Sequence, residues 1–520
     1  MKDETKRPPT KWIERIGIGP WFGGRDLSKP VHLVFGLVLP MALLVNNMWR
    51  VRAFTVDDAY ISFRYAANLV AGHGLVYNPG EAIEGYTNFL WTLLIALGLP
   101  LGIDEHTSSK IMGALAAMGT MAVMYRLSAR LQPMGGLPCV ATWLFATSST
   151  SVCWSVFGLE TSLFQFFIAT GTLMMFEEND RERAFPASGL VFALAGLTRP
   201  EAPMFLGLPM LLLGRRFFSR QNIVRGLLFA LPIGVHMLWR HGYYGSWTPA
   251  TLAAKTGDLK AQWKNGRGYV LAWLQHAGPI IFVIFYGVGL GVARRSRELL
   301  TLAAVFFATA TYVILVGGDW MSYYRFMAPG EPYCFVLICV AIRSLAQSRE
   351  RAALVALALA LLWGFGHRYY DFEGARKKFI KEEKRFWDST AGQVAEWLAV
   401  HGKPGRVALG DIGFVGWRTN YPILDLLGLV DPVISQLPGG YTKKHGPGYK
   451  ERFYEVAPEW AVLIHNGQDC KTASLAAVKK IVEDPKFRRM YVLEENFQVN
   501  SDGSWCVFRR KDFDSSTRGE

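Results

Sequence analysis

This chain is short of charge. Asp, Glu, Lys and Arg together make up 19% of its 520 residues, where soluble proteins carry nearer a quarter. Internal repeats and low-complexity stretches are missing, and so is any RNA- or DNA-binding motif. The net charge of +14 therefore does not point to nucleic acid. Its arginines cluster in short loops between apolar runs, where they face lipid headgroups and orient the chain. Inverted repeats and mid-membrane charges, the marks of a transporter or lipid flippase, are not seen either. No small-residue cleavage site follows the first apolar run. That run reads as a retained signal anchor, with the basic segment 1–30 in the cytoplasm.

Long apolar runs are what the chain does have. Those at 31–49, 223–239, 270–292, 300–316 and 352–366 approach the ~20 residues needed to cross a bilayer. Only helices or closed barrels satisfy their own backbone there, and runs of this length predict helices. With the N-terminus inside, the basic loops at Arg126/Arg130, Arg181/Arg183, Arg215/Arg216/Arg220/Arg225, Arg294/Arg295/Arg297 and Arg343/Arg349/Arg351 are assigned to the cytoplasm. About eleven spans follow: 31–49, 108–127, 138–153, 161–176, 186–198, 200–214, 222–240, 269–292, 299–316, 331–346 and 351–366. The segment 89–101 is apolar but short, and reads as an interfacial or re-entrant helix on the outer face.

The transmembrane domain is thus 31–366, with a first outer loop at 50–108, in a multi-pass protein of the plasma (inner) membrane. Residues 367–520 are richer in charge. They carry strand-like runs at 406–409, 460–464, 490–493 and 505–508, and helical stretches at 379–400 and 473–482. This predicts a small extracytoplasmic α/β domain. Of the six cysteines, Cys139, Cys153, Cys334 and Cys339 lie in or beside spans, where Cys acts as a small hydrophobe. Cys470 and Cys506 either form a disulfide in an oxidising compartment or stand as two unrelated thiols. Trp417, Trp460 and Trp505 are sugar-stacking or core residues.

The outer segments concentrate acids, arginines and aromatics. Asp57 and Asp58 open a helical stretch that also carries Arg64. An acid there either caps its helix or serves as general base toward an acceptor hydroxyl, and adjacent acids raise one another's pKa. Glu84 lies in a turn before the interfacial helix, and Glu160 between two apolar runs, where an acid is costly unless it caps the next helix. Arg199 stands at a helix break before Pro200 and either pairs with Glu201 or holds a phosphate. Tyr243 and Tyr244 suit sugar stacking or an interfacial belt; Lys255 follows as a second phosphate partner. Asp319 and Arg325 flank a Gly-Gly turn as an ion pair or as parts of a site.

Taken in order, these motifs resemble the GT-C integral-membrane glycosyltransferases, and more narrowly the terminal arabinofuranosyltransferases of mycobacterial arabinan. The resemblance rests on Asp57-Asp58, on 68–74 and 81–84, on 155–160, on Arg199-Pro200-Glu201, on 242–245 with Pro249 and Lys255, and on Gly317-Gly318-Asp319. It implies a polyprenyl-monophosphate sugar donor, arabinofuranose by preference, and a glycan or glycoconjugate acceptor. A mannosyltransferase or a pilin glycosyltransferase is the alternative. Asp57 would be the base with Asp58 in support. Arg199, Lys255 and Arg325 would neutralise the leaving phosphate, and Arg64, Glu84, Glu160, Glu201, Tyr243, Tyr244 and Asp319 would contact substrate. Asp57, Asp58 and Asp319 would permit a divalent cation, which no ligand spacing demands.

Overall fold

The computed structural model describes residues 28–132, 139–181, 185–255, 259–275, 278–439, 444–467, 470–500 and 503–513. The basic N-terminal segment lies outside them, as does the side chain of Lys255. Six described helices are long and apolar enough to cross a membrane: Pro30–Val51, Glu105–Leu131, Arg220–Tyr244, Arg297–Val316, Arg325–Ser348 and Glu350–Lys378. Two bent pairs bring the number to eight if each is one span. They are Ser149–Val156 with Thr161–Asp180, at 115°, and Leu259–Gln275 with Ile280–Ala293, at 99°. The chain is a multi-pass membrane protein.

The expected eleven spans are not all continuous helices, and local chemistry says why. The run 138–153 breaks at Ser148, whose hydroxyl caps helix Ser149–Val156 by accepting from the Ser151 N–H. The run 269–292 is interrupted at Gly278, with φ +50°, and Pro279. Helices Ser188–Thr198 and Ala202–Leu212 are separated by Arg199 in extended backbone, as befits a residue before proline. Helix Arg325–Ser348 lies almost wholly inside the bundle, and the short helix Phe89–Gly98 packs on Asp57–Val70 and Glu105–Leu131.

The chain is helical through residue 367. The last long helix runs from Glu350 to Ser389, passing through a π-type segment at Leu362–Arg368. Beyond it the strands are β1 (Val407–Leu409), β2 (Ile423–Asp425), β3 (Trp460–Asn466), β4 (Thr472–Ala473), β5 (Tyr491–Asn500) and β6 (Gly503–Arg510). They form one sheet in the order β2-β1-β3-β6-β5, with β4 attached to β3. The β2-β1-β3 part is parallel, with Val407 opposite both Ile423 and Trp460. Its strands are apolar almost throughout, as expected of a sheet covered on both faces. The β3-β6-β5 part is antiparallel. Cys470 and Cys506 are joined, tying the turn after β3 to β6. Trp460 and Trp505 are core residues, 1% and 5% exposed.

Candidate active site

Helix Asp57–Val70 begins after Val56, which is extended and gives no side-chain cap. Asp57 does not cap its own helix. Its two carboxylate oxygens accept the backbone N–H groups of Gly413 (3.0 Å) and Phe414 (2.8 Å), at the start of the short helix Gly413–Thr419 in the C-terminal domain. The approach is close enough to require glycine: a Cβ on Gly413 would lie 2.0 Å from the Asp57 carbonyl.

Two turns along, on the same helix face, Arg64 grips the other end of that short helix. It is 1% exposed. Its Nη1 donates to Gly416 O (2.6 Å), Nη2 to Tyr421 O (2.8 Å) and Nε to Tyr77 O (2.7 Å), and its plane lies 4.2 Å from the Tyr77 ring centre. Tyr77 in turn donates to Ile412 O. Asn78 pairs with both backbone groups of Ile423, and Glu81 with Arg406 at 2.6 Å. Arg64 is therefore a clamp between domains rather than the expected substrate contact, because its donors are spent on backbone oxygens.

The electrostatics around Asp57 follow from this docking. Burial pushes its carboxyl up to about 7, repulsion from Asp411 and Asp58 adds to the shift, and the two amides oppose it. Beside it opens a cleft of ≈ 400 Å³ lined by Thr55, Tyr60, His106, Glu396, Phe414 and Arg418, among others. Tyr60 is its hub, with ring centres 5.1 Å from His106, 5.2 Å from Phe414 and 5.3 Å from Trp417. Sequence reasoning missed His106, Phe414 and Arg418. The available signal was the 413–417 stretch, Gly-Phe-Val-Gly-Trp, where two glycines alternate with two half-buried aromatics.

Several other expected site residues are brought together, but around each other. Arg199 binds Glu160 (3.0 Å) and Glu201 (2.5 Å), and Asn88 links Glu160 to Ser62 on helix Asp57–Val70. Arg325 binds Asp319 at 2.7 Å. The Phe326 ring lies 5.4 Å from the Arg199 guanidinium and 5.1 Å from that of Arg325. Both arginines are thus neutralised within the chain, unlike the phosphate-binding forks expected. The acids expected to permit a cation were Asp57, Asp58 and Asp319. Asp319 is committed to Arg325, and no three His, Cys, Asp or Glu side chains converge as metal ligands among the described residues.

Glu84, raised to about 7 by burial against the pull of Arg240, pairs with that arginine at 2.7 Å. Tyr243 accepts from Leu75 N and stacks on Trp239, while Tyr244 donates to Leu75 O. These tyrosines brace the loop 50–108.

One buried cluster had no sequence forecast. Arg368 and Glu331, 3% and 0% exposed, meet at 2.5 Å. Arg368 also donates to Ser148 and Thr150, and Glu331 accepts from Ser148, Ser151 and Trp273. The break at Ser148 and the π-type winding at 362–368 are what bring these groups together.

Known proteins share this architecture. ArnT from Cupriavidus metallidurans bound to undecaprenyl phosphate superposes with TM-score 0.55 at 11% identity, covering 91% of this chain and 97% of ArnT. Archaeal oligosaccharyltransferase AglB from Archaeoglobus fulgidus, in complex with an inhibitory peptide and a dolichol-phosphate, gives 0.52 at 12% identity, covering 84% and 70%. The fold is GT-C.

By sequence the chain is similar to two enzymes named terminal beta-(1->2)-arabinofuranosyltransferase. The Mycobacterium tuberculosis relative is 29% identical over 281 residues, 48% of this chain and 43% of its own length. The Corynebacterium glutamicum relative is 28% identical over 396 residues, 65% of this chain and 55% of its own length. The chain spans about half the length of the curated relatives it matches. Residues 379–512 match a family described as a domain of unknown function, DUF8728.

Proposed function

We propose that this chain transfers a sugar, arabinofuranose by preference, from a polyprenyl monophosphate to a glycan hydroxyl on the extracytoplasmic face of the plasma membrane. The observation that carries the reading is Asp57, a carboxylate held by two amides beside an aromatic-lined cleft and raised to about 7. A base works best when its pKa lies near the operating pH. Asp57 takes the proton of the acceptor hydroxyl, the freed oxygen attacks the anomeric carbon, and the prenyl phosphate leaves with the bonding electrons. Asp58 and Asp411 keep the Asp57 proton affinity high. The solved GT-C neighbours holding undecaprenyl phosphate and dolichol-phosphate support this type of carrier, and the two sequence relatives support the sugar.

A leaving phosphate needs positive charge or N–H donors. With Arg199 and Arg325 engaged by buried carboxylates, Arg418 on the cleft, whose partner Glu396 is exposed and 3.7 Å away, and the His106 imidazole replace them as our candidates, and Lys255 remains one. The test is transfer from synthetic prenyl-phospho-arabinofuranose to a panel of glycan acceptors by purified wild type, D57N and D58N. We expect D57N to lose about 10²- to 10⁴-fold in rate with donor binding kept. Turnover of another prenyl-phosphate sugar alone would correct the sugar. Undiminished transfer by D57N would remove the proposed base.

A further inference from the structure

We propose that Arg64 is a positioning residue for this transfer: by holding the far end of helix Gly413–Thr419, it sets the two amides that orient the Asp57 carboxylate. This rests on the function proposed above. The geometry is a closed frame. Asp57 and Arg64 stand two turns apart on one helix. Asp57 takes the N–H groups of Gly413 and Phe414, and Arg64 takes the carbonyls of Gly416 and Tyr421. The short helix is thereby pinned at both ends to a single rigid element. Glycine at 413 and 416 lets it come this close: a Cβ at Gly416 would lie 2.0 Å from the Tyr77 hydroxyl and 3.1 Å from Arg64 itself.

Pinning only one end would leave the helix free to pivot about the Asp57 contact. Small rotations would misalign the two N–H bonds and shift Phe414, which presents both an amide to Asp57 and a ring to the cleft. Misplacement of about 1 Å is enough to cost about 100-fold in rate. The groups facing Asp57 are Asp58 on its own helix, Asp411 from the C-terminal domain, and the Tyr60 and Tyr77 phenols. Against this largely acidic surround the two amides are what favour the carboxylate form. Losing them moves the ionisation of Asp57 to higher pH.

The experiment compares wild type, R64Q, R64K and E81Q in detergent. Amide hydrogen exchange at Gly413 and Phe414 is read together with the pH profile of transfer. E81Q breaks a different contact between the domains, Glu81–Arg406, and serves as the control for loosened docking. For R64Q we expect exposed Gly413 and Phe414 amides, kcat down about 100-fold with donor KM within about twofold, and an ascending pH limb moved upward. R64K should recover part of each, and E81Q should move neither the limb nor these two amides. A wild-type pH limb and kcat in R64Q with its amides exposed would overturn the proposal, as would protected amides in R64Q. Should D57N itself prove fully active, the proposed base fails, while the dependence of the two amides on Arg64 is still decided by exchange.

Discussion

Replacing Arg368 with methionine should damage this protein more than its distance from the cleft suggests, and a second substitution should undo most of the harm. In the wild type Arg368 meets Glu331 at 2.5 Å, Ser148 at 2.6 Å and Thr150 at 2.9 Å, within 6 Å of the Trp273, Phe335 and Trp363 rings. Methionine fills much of the same volume without the charge. Glu331, 0% exposed, then keeps three neutral donors and no counter-ion. Stranding one member of a buried ion pair costs about 3–5 kcal/mol. Adding E331Q removes the stranded charge while the amide oxygen, placed where Oε2 was, still accepts from Ser148 and Ser151, leaving the Trp273 N–H without its acceptor. The remaining deficit should be about 1–2 kcal/mol, that of one or two weakened hydrogen bonds. Equilibrium unfolding of the purified single and double variants in mixed micelles measures both. A double variant no more stable than R368M would refute the reasoning, since it would show that charge is not what the pair supplies.

Four further outcomes are expected. Transfer should rise with pH through about 7 as Asp57 deprotonates, and a rate–pH profile without an ascending limb would contradict that assignment. A folded-state pKa above the ordinary 3.8 means that Asp57, taken alone, destabilises the fold above about pH 7 and ceases to do so as pH falls toward 4. D57N should therefore be at least as heat-stable as wild type, which differential scanning in detergent will show. Cys470 and Cys506, separated by 36 residues, should contribute about 3–4 kcal/mol through loop closure, read as the stability lost in the double serine variant. Finally, R199M should cost about 3–5 kcal/mol by leaving Glu160 and Glu201 buried together, and R199M/E201Q should be milder; equal losses in unfolding would count against the shared-cation arrangement.

The sequence made the membrane character legible because long apolar runs have one physical solution in lipid. The short helices flanking Arg199 were legible too, since Pro200 fixes the break. The strands β1, β3, β5 and β6 announced themselves as apolar runs, whereas Ile423–Asp425 and Thr472–Ala473 are too short to show a period. Candidate site residues were read from the sequence as polar groups gathered in the outer segments, but their partners were not legible there. Whether Arg199 holds a phosphate or two glutamates depends on Glu160, 39 residues away. Whether Arg64 meets substrate or backbone depends on Gly416 and Tyr421, more than 350 residues on. Such pairings are set by tertiary packing and leave no local pattern. The Glu331–Arg368 pair was hidden for the same reason, each residue looking like an ordinary helix-end charge.

Contact between the loop 50–108 and the C-terminal domain also constrains how often the chain traverses the membrane. Two segments that touch through Asp57, Arg64, Asn78 and Glu81 must share one side, and a path that returns to its side makes an even number of passages. Pro30–Val51 leads into the loop. Between the loop and the domain the qualifying helices among the described residues number five, or seven when each bent pair is one passage. Both numbers are odd. An odd number of additional passages must therefore come from the irregular pieces. Either the helices on the two sides of Arg199 act jointly as one interrupted passage, or a bent pair opens into two. The parity of the whole fold is thus carried by its least regular helices, and labelling either flank of Arg199 from each side of a sealed vesicle would show which.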